Sequence, residues 1–349
     1  MLLDLSYLSY PLPPDIQRLF EAGDFDRMAR VIRQRLEDPR VPKTLHERLR
    51  FQLIIAKEIP EYYRLTQADM LAILQENIND FTEDELETLR DDGTLDWRYI
   101  NGEVHFRNNC LDALLKVRKE YALRAKDPEV QAAADARGQR LNAMITRMKE
   151  EGGMHVRFEL HEEMTVKSDR LTPGETLRIH LPLPVVGAQV KSAALLSTSH
   201  PAAFIAPADE PQRTVYFELP YEPGMTVSAE LAYEIEAPYC QPHAREVLAE
   251  QPTFDTEEMP PHVVFTPYLR ALAKEIVGDE TNPLLKARKI YDFITTQAVY
   301  RYMPPYLTVT NLPEYFMSGL RGDCGVQAIT FITLCRLCGI PAKWQAGLY

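Results

Sequence analysis

The chain has 349 residues, of which 45% are hydrophobic and 26% charged, and it carries a net charge of −12. With a mean hydropathy of −0.28 and a pI near 5.3, this is the composition of a water-soluble protein with room for two or three domains. The acidic balance excludes a general binder of nucleic acid or of anionic membranes, because neutralising phosphate takes a basic face and none is visible along the chain.

Residues 1–152 read as a mainly α-helical domain. Pro11, Pro13 and Pro14 precede a helical stretch from Asp15 to Phe20. The opening Met1-Leu2-Leu3-Asp4-Leu5 has no basic residue ahead of its apolar ones and an acid among them, which is not the pattern of a secretory signal. After a break at Gly23, Asp24 caps a helix from Phe25 to Leu36 with Met28, Val31, Ile32 and Leu36 on one face. Leu45, Leu49, Leu53, Ile54 and Ile59 give the next apolar stripe, up to Pro60. Thr66 starts a helix reaching Ile78, and Thr82-Glu83-Asp84-Glu85 is a capping box for another. No fixed repeat period links these helices. Between residues 96 and 107, Asn101-Gly102 flanked by alternating aromatic and polar residues signals an inserted β-hairpin, whose Trp97 and Tyr99 read as packing residues. Helices are expected to resume over Leu111–Ala125 and Pro128–Glu150, and Gly152-Gly153 ends the domain.

From residue 154 to residue 238 the period changes from helical to alternating. His155–Val166, Glu175–Leu181, Ala188–Leu196, Ala203–Ile205, Thr214–Leu219 and Thr226–Ile235 read as short strands separated by Pro/Gly turns, the pattern of an antiparallel β-sandwich. His155 and His161 share a face of the first strand, but Arg157, Glu159 and Glu163 alternate with the apolar positions as a solvated sheet face does, so no metal site is assigned. Residues 239–265, rich in Pro and acids, read as an irregular linker.

Over residues 266–349 the helical period returns. Thr266-Pro267 opens a helix with Leu269, Leu272, Ala273 and Ile276 on one side, and Asn282-Pro283 opens another with Leu285, Ala287, Ile290, Tyr291 and Ile294. An extended piece, Val299–Tyr302, leads into a Pro/Tyr-rich loop from Met303 to Phe316. Arg321-Gly322-Asp323 then makes a turn in which Asp323 has a turn-forming role, Cys324 opens an apolar helix, and Gly339 with Pro341 stops it before a strand over Lys343–Tyr349. At that position the unpaired backbone N–H groups and the positive end of the helix dipole favour a thiolate, the ordinary origin of a nucleophilic cysteine. The five cysteines, Cys110, Cys240, Cys324, Cys335 and Cys338, are odd in number and scattered, which points to free thiols in a reducing, cytoplasmic setting. Cys335 and Cys338 form a Cys-x-x-Cys with no second ligand pair nearby, so they read as small core residues rather than as a zinc or redox motif.

The run Gly322-Asp323-Cys324-Gly325-Val326-Gln327-Ala328, continued through Gly339-Ile340-Pro341-Ala342-Lys343, resembles the cysteine motif of the transglutaminase-like superfamily of papain-fold enzymes. The resemblance implies an α+β multidomain protein: a helical domain, a β-sandwich, and the first half of a papain-like core over residues 266–349. It also implies a Cys-His-Asp enzyme acting on amide bonds of a peptide or protein substrate without a cofactor, more by peptide or isopeptide hydrolysis than by crosslinking. Carried over residue by residue, it makes Cys324 the nucleophile, with its own amide as an oxyanion donor, and places Tyr302 in the wall of the site. In the family the base His and its Asp follow the cysteine motif, whereas the eight histidines here, at 46, 105, 155, 161, 180, 200, 243 and 262, all precede it. The expectation is therefore a chain truncated after the nucleophile, probing as inactive by itself, in which no histidine hydrogen-bonds Cys324. The other open reading is a catalytically inactive scaffold or protein-binding module of the same fold. Nothing in the sequence sets the oligomeric state.

Overall fold

The computed structural model describes residues 5–167, 171–187 and 189–345. Contacts divide the chain into two compact units, one of Met1–Arg137 with Pro242–Trp344 and one of Gly138–Gln241 with Gln345–Tyr349.

The first unit opens with α1 (Pro14–Glu21), α2 (Phe25–Glu37) and α3 (Lys43–Tyr62). Asp24 caps α2 by accepting from the Arg27 N–H at 3.2 Å. Ile16, Met28, Ile32, Leu49 and Ile55 from the three helices are buried in one apolar cluster. A two-residue strand β1 (Leu65–Thr66) leads to α4 (Gln67–Asn77) and α5 (Glu83–Asp91). Both helices begin with full capping boxes, Thr66 with Asp69 and Thr82 with Glu85. The hairpin follows as β2 (Trp97–Ile100) and β3 (Glu103–Phe106), with Asn101 and Gly102 at φ 51° and 98°, the left-handed pair that an Asn-Gly turn supplies. Trp97 and Tyr99 pack edge to face at 5.7 Å, and the Trp97 indole donates to the Arg90 carbonyl at 3.1 Å.

The helix expected over Leu111–Ala125 is two pieces, α6 (Cys110–Val117) and α7 (Lys119–Ala122). Arg118 breaks it because its guanidinium is drawn off to Asp92 Oδ2 at 2.9 Å, Thr94 Oγ1 at 3.0 Å and Glu120 Oε1 at 2.6 Å. Beyond it, α8 (Pro128–Glu151) runs to Gly152, which takes φ 76° at the helix end.

The second unit is built on two antiparallel sheets. Its strands are β4 (Gly153–Thr165), β5 (Thr176–Pro182), β6 (Val190–Thr198), β7 (Phe204–Ile205), β8 (Thr214–Pro220) and β9 (Thr226–Pro238). One sheet has the order β4-β9-β6 and the other β5-β8-β7. Ile179, Leu181, Val215 and Phe217 of one share a buried cluster with Val227, Ala229 and Leu231 of the other, as in a sandwich. His155 and His161 lie on the exposed face of β4, 3.9 Å from Glu234 and 3.8 Å from Glu230.

The remaining elements belong to the first unit: α9 (Pro267–Val277), α10 (Pro283–Gln297), β10 (Val299–Tyr300), α11 (Leu312–Gly319), β11 (Arg321–Gly322) and α12 (Cys324–Leu337). Thr266 and Asn282 cap α9 and α10, each with Pro at the first turn. The Pro/Tyr-rich loop is shorter than its composition suggests. Asn311 caps α11 by accepting from the Glu314 N–H at 2.9 Å, and Pro313 sits in the first turn, where its missing N–H costs nothing. The strand expected over Lys343–Tyr349 does not form at residues 343–345, and residues 346–349 lie outside the described residues. Just before it, the Ala342 N–H donates to Asp255 O at 3.1 Å and its carbonyl accepts from Arg336 at 2.7 Å, which commits that backbone to a loop and a side chain instead of a sheet. None of the described helices is long and apolar enough to cross a membrane.

Residues 92–116 hold this C-terminal region in the unit. The Arg321 guanidinium donates to Asp92 O, the Tyr302 hydroxyl to Asp112 Oδ2 at 2.7 Å, and Lys116 Nζ lies 4.5 Å from the Tyr300 ring centre. Asp96, with a side chain 10% exposed, accepts from the Tyr63 hydroxyl at 2.8 Å and faces Arg301, 16% exposed, at 3.7 Å. Replacing Asp96 by Ala leaves the enclosed Arg301 guanidinium without its carboxylate partner and the Tyr63 hydroxyl without its acceptor. The variant should lose about 2–4 kcal/mol of stability, read as a lowered midpoint in urea with an unchanged slope.

Candidate active site

Cys324 is the first residue of α12, and it is exposed. The sequence places it there through three neighbours. Leu320 takes φ 49° and ends α11; β11 then pairs in parallel with β10, Val299 opposite Arg321 and Tyr300 opposite Gly322. Gly322 passes so close to α12 that a Cβ on it would stand 2.2 Å from Val326 Cγ1 and 3.0 Å from Phe316 Cδ2. Only a residue without a side chain allows that approach. Asp323 is the N-cap, its Oδ1 accepting from the Val326 N–H at 3.0 Å, so its expected turn-forming role takes the form of a cap.

Two residues complete the helix start. The Tyr306 hydroxyl donates to the same Asp323 Oδ1 at 2.6 Å. Gly325 makes room for it, since a Cβ there would lie 2.2 Å from the Tyr306 oxygen. Gln327 Nε2 donates to Gly322 O at 3.1 Å and ties the turn to the helix. The charge of Asp323, which sits beside the thiol in sequence, is therefore spent on a backbone N–H and a phenol. Val326 has its acceptor, while the N–H groups of Cys324 and Gly325 precede any intrahelical acceptor and remain available to an anion. Such an arrangement can receive the oxygen of a carbonyl attacked by the adjacent sulfur.

The other thiols of this unit differ in kind. Burial pushes Cys110 and Cys335 up to about 12, and Cys338 is raised by the same cause. Cys335 and Cys338 sit in or against the apolar cluster of α9–α12, where they act as small core side chains.

Tyr302 is half-buried, and its hydroxyl is engaged by Asp112, its ring by Lys116 at 5.4 Å. Tyr306 and Gln327, which bond the turn directly, were not singled out by sequence. Gln327 lies inside the recognised motif, three residues after the cysteine, whereas Tyr306 sits in a loop without periodicity, and no local pattern marks it.

No histidine hydrogen-bonds Cys324 among the described residues. His180 bonds Thr214 Oγ1 at 3.0 Å and His200 bonds Ser199 Oγ at 2.8 Å. His262 is enclosed, neither ring nitrogen makes a hydrogen bond of good geometry, and burial, only partly opposed by the Thr310 backbone, holds it below the ordinary 6.5. The metal-ligating residue types form no cluster of three or more among the described residues.

The enclosed imidazole sets a pH dependence. The unfolded chain takes up a proton on His262 near pH 6.5, and the folded chain does so only at lower pH. The stability that neutral His262 contributes is complete above that value and is lost as pH falls toward the lowered folded one. The paired carboxylates, such as Glu85 held down by Arg124, act only below the ordinary 4.5. A fall in melting temperature between about pH 6.5 and pH 5 should flatten in His262→Phe. A second expectation concerns the cap: Tyr306→Phe should cost about 1 kcal/mol in the parent chain and almost nothing in Asp323→Ala, a coupling that a double-mutant cycle of urea midpoints measures.

Among curated proteins, none matches the sequence. A solved structure described as "a Putative Cysteine Protease from Cytophaga hutchinsonii" is 18% identical, with 54% of this chain and 67% of that chain covered at a TM-score of 0.35; nothing about the site follows from a likeness of that size. Residues 270–349 match the family described as the Transglutaminase-like superfamily, and the match spans β10, β11, the Gly322–Asp323 turn and all of α12. The chain thus carries a transglutaminase-like superfamily domain at its C-terminal end, over residues 270–349.

Proposed function

We propose that Cys324 is the nucleophile of a cytoplasmic cysteine enzyme that cleaves amide bonds in peptide or protein substrates, by peptide or isopeptide hydrolysis. The observation that carries this reading is an exposed thiol on the first residue of a helix whose N-cap carboxylate is already bonded, leaving two backbone N–H groups beside the sulfur. In the reaction the Cys324 sulfur adds to the substrate carbonyl carbon, and the carbonyl oxygen gains charge that the Cys324 amide receives. Collapse breaks the C–N bond, the amine leaves with a proton, and water releases the acyl group. The proton-transfer residues, a His and its orienting acid, are drawn in this reading from outside the described residues, because none of the described histidines bonds the thiol.

That same absence favours a second reading, a scaffold or protein-binding module that keeps the fold without turnover. Iodoacetamide discriminates between them, with exposed Cys240 as the internal reference. With the full-length protein, in which the proton-transfer residues are present, the nucleophile reading expects Cys324 to be alkylated at pH 7 at least about tenfold faster than Cys240, with the fast phase absent from Cys324→Ala. Equal rates at the two thiols would leave the scaffold.

A further inference from the structure

A cleft of about 750 Å³ in the first unit lies apart from the Cys324 turn in its lining, and it is of the size that holds small organic ligands. Its walls are aromatic, with Phe20, Tyr63, Trp97 and Tyr268 among them, and the 308–311 loop and α11 close another side. Three charged side chains line it: Asp96, Arg98 and Glu314.

These three charges are not equally committed. Asp96 is held by the Tyr63 hydroxyl at 2.8 Å and by Arg301 at 3.7 Å. Glu314 is half-buried on the first turn of α11, where its charge suits the helix dipole. Arg98 has neither kind of relief. Its guanidinium carbon stands 5.6, 5.1 and 5.7 Å from the ring centres of Phe20, Phe25 and Tyr63, so three rings replace water around it. Its Nε is buried with no hydrogen-bond partner, and no carboxylate lies within ion-pairing distance of it among the described residues. Burial lowers the pKa of Arg98, and the nearby Asp96 charge, which opposes that shift without forming an ion pair, does not cancel it.

A guanidinium that lies between aromatic faces, with its Nε enclosed and unpaired, is the arrangement that recognises a planar carboxylate, and the other rings of the cleft fit an apolar body attached to it. The geometry points to a binding site for a small carboxylate ligand with an aromatic or apolar body, its carboxylate on Arg98 between Phe20 and Tyr63 and its body against Trp97 and Tyr268. The site is independent of Cys324 and of the reaction proposed there.

The test is isothermal titration of the intact chain with N-acetyl-L-phenylalanine and with N-acetyl-L-phenylalanine amide, which differ only in the charged group. The acid should bind saturably and the amide at least about tenfold more weakly, the difference expected when a charge-assisted pair is lost. Arg98→Gln should reduce the acid to the affinity of the amide. Equal affinities of acid and amide for the parent chain, or no binding of either, would mean that Arg98 is held by its rings alone and would overturn the proposal without recourse to any variant.

Discussion

The Asp96 carboxylate, enclosed between Tyr63 and Arg301, is the interaction on which the first unit turns. Arg301 follows β10 directly, and its own backbone N–H donates to Gly322 O at 3.1 Å. The buried charge on the hairpin side is thus one residue and one hydrogen bond away from the turn that ends at Cys324. A buried ion pair need not stabilise a fold in net terms, since desolvation consumes most of its attraction, but it penalises every arrangement in which its two members are apart. Here the two members come from residues more than two hundred positions apart in sequence, so the penalty falls on separation of the N-terminal helices from the C-terminal region. The bonds from Arg321 to Asp92 O and from Tyr302 to Asp112 act in the same sense at either side of it.

Much of the local structure was legible in the sequence because it is locally caused. Asp24, Thr66, Thr82, Thr266 and Asn282 cap the helices they announce, and Asn101-Gly102 makes the hairpin turn, since each of these side chains acts on backbone within three residues of itself. The alternation that marked the sandwich strands is likewise a property of one strand at a time. What escaped was set by distant partners. Arg118 breaks a continuous helical pattern because Asp92 and Thr94 capture its guanidinium. α11 was hidden in a stretch whose Pro and Tyr content suggested a loop, although Asn311 and Pro313 together are a helix-start signal.

The candidate site divides along the same line. The placement of Cys324 on a helix start follows from the motif itself, whereas the reason for the glycines around it appears only in the close approaches of Val326 and Tyr306. The role of Tyr306 does not follow from the motif either, because it depends on a hydroxyl arriving from an irregular loop at the one point where Gly325 leaves space. Tyr306 also bears on the aspartate that stands next to the exposed Cys324 thiol. A carboxylate whose Oδ1 accepts from both the Val326 amide and a phenol is held against the helix start, and the cap then orders the turn without occupying the amides of Cys324 and Gly325.

Net charge says nothing about a single enclosed cation, and the aromatic cleft shows why. A balance of −12 rules out a broad basic face for phosphate, because such binding scales with the number of cations presented. A point site depends instead on one group and its dielectric surroundings. Asp96 has two guanidinium groups in its neighbourhood, Arg98 and Arg301, and its own contacts go to Arg301 and Tyr63. Arg98 is left with the rings of Phe20, Phe25 and Tyr63, which favour its cation but offer its enclosed Nε no acceptor. The same carboxylate that fastens the C-terminal region into the unit therefore acts on the neighbouring arginine only through space and leaves it without a direct ion pair at the wall of a cleft.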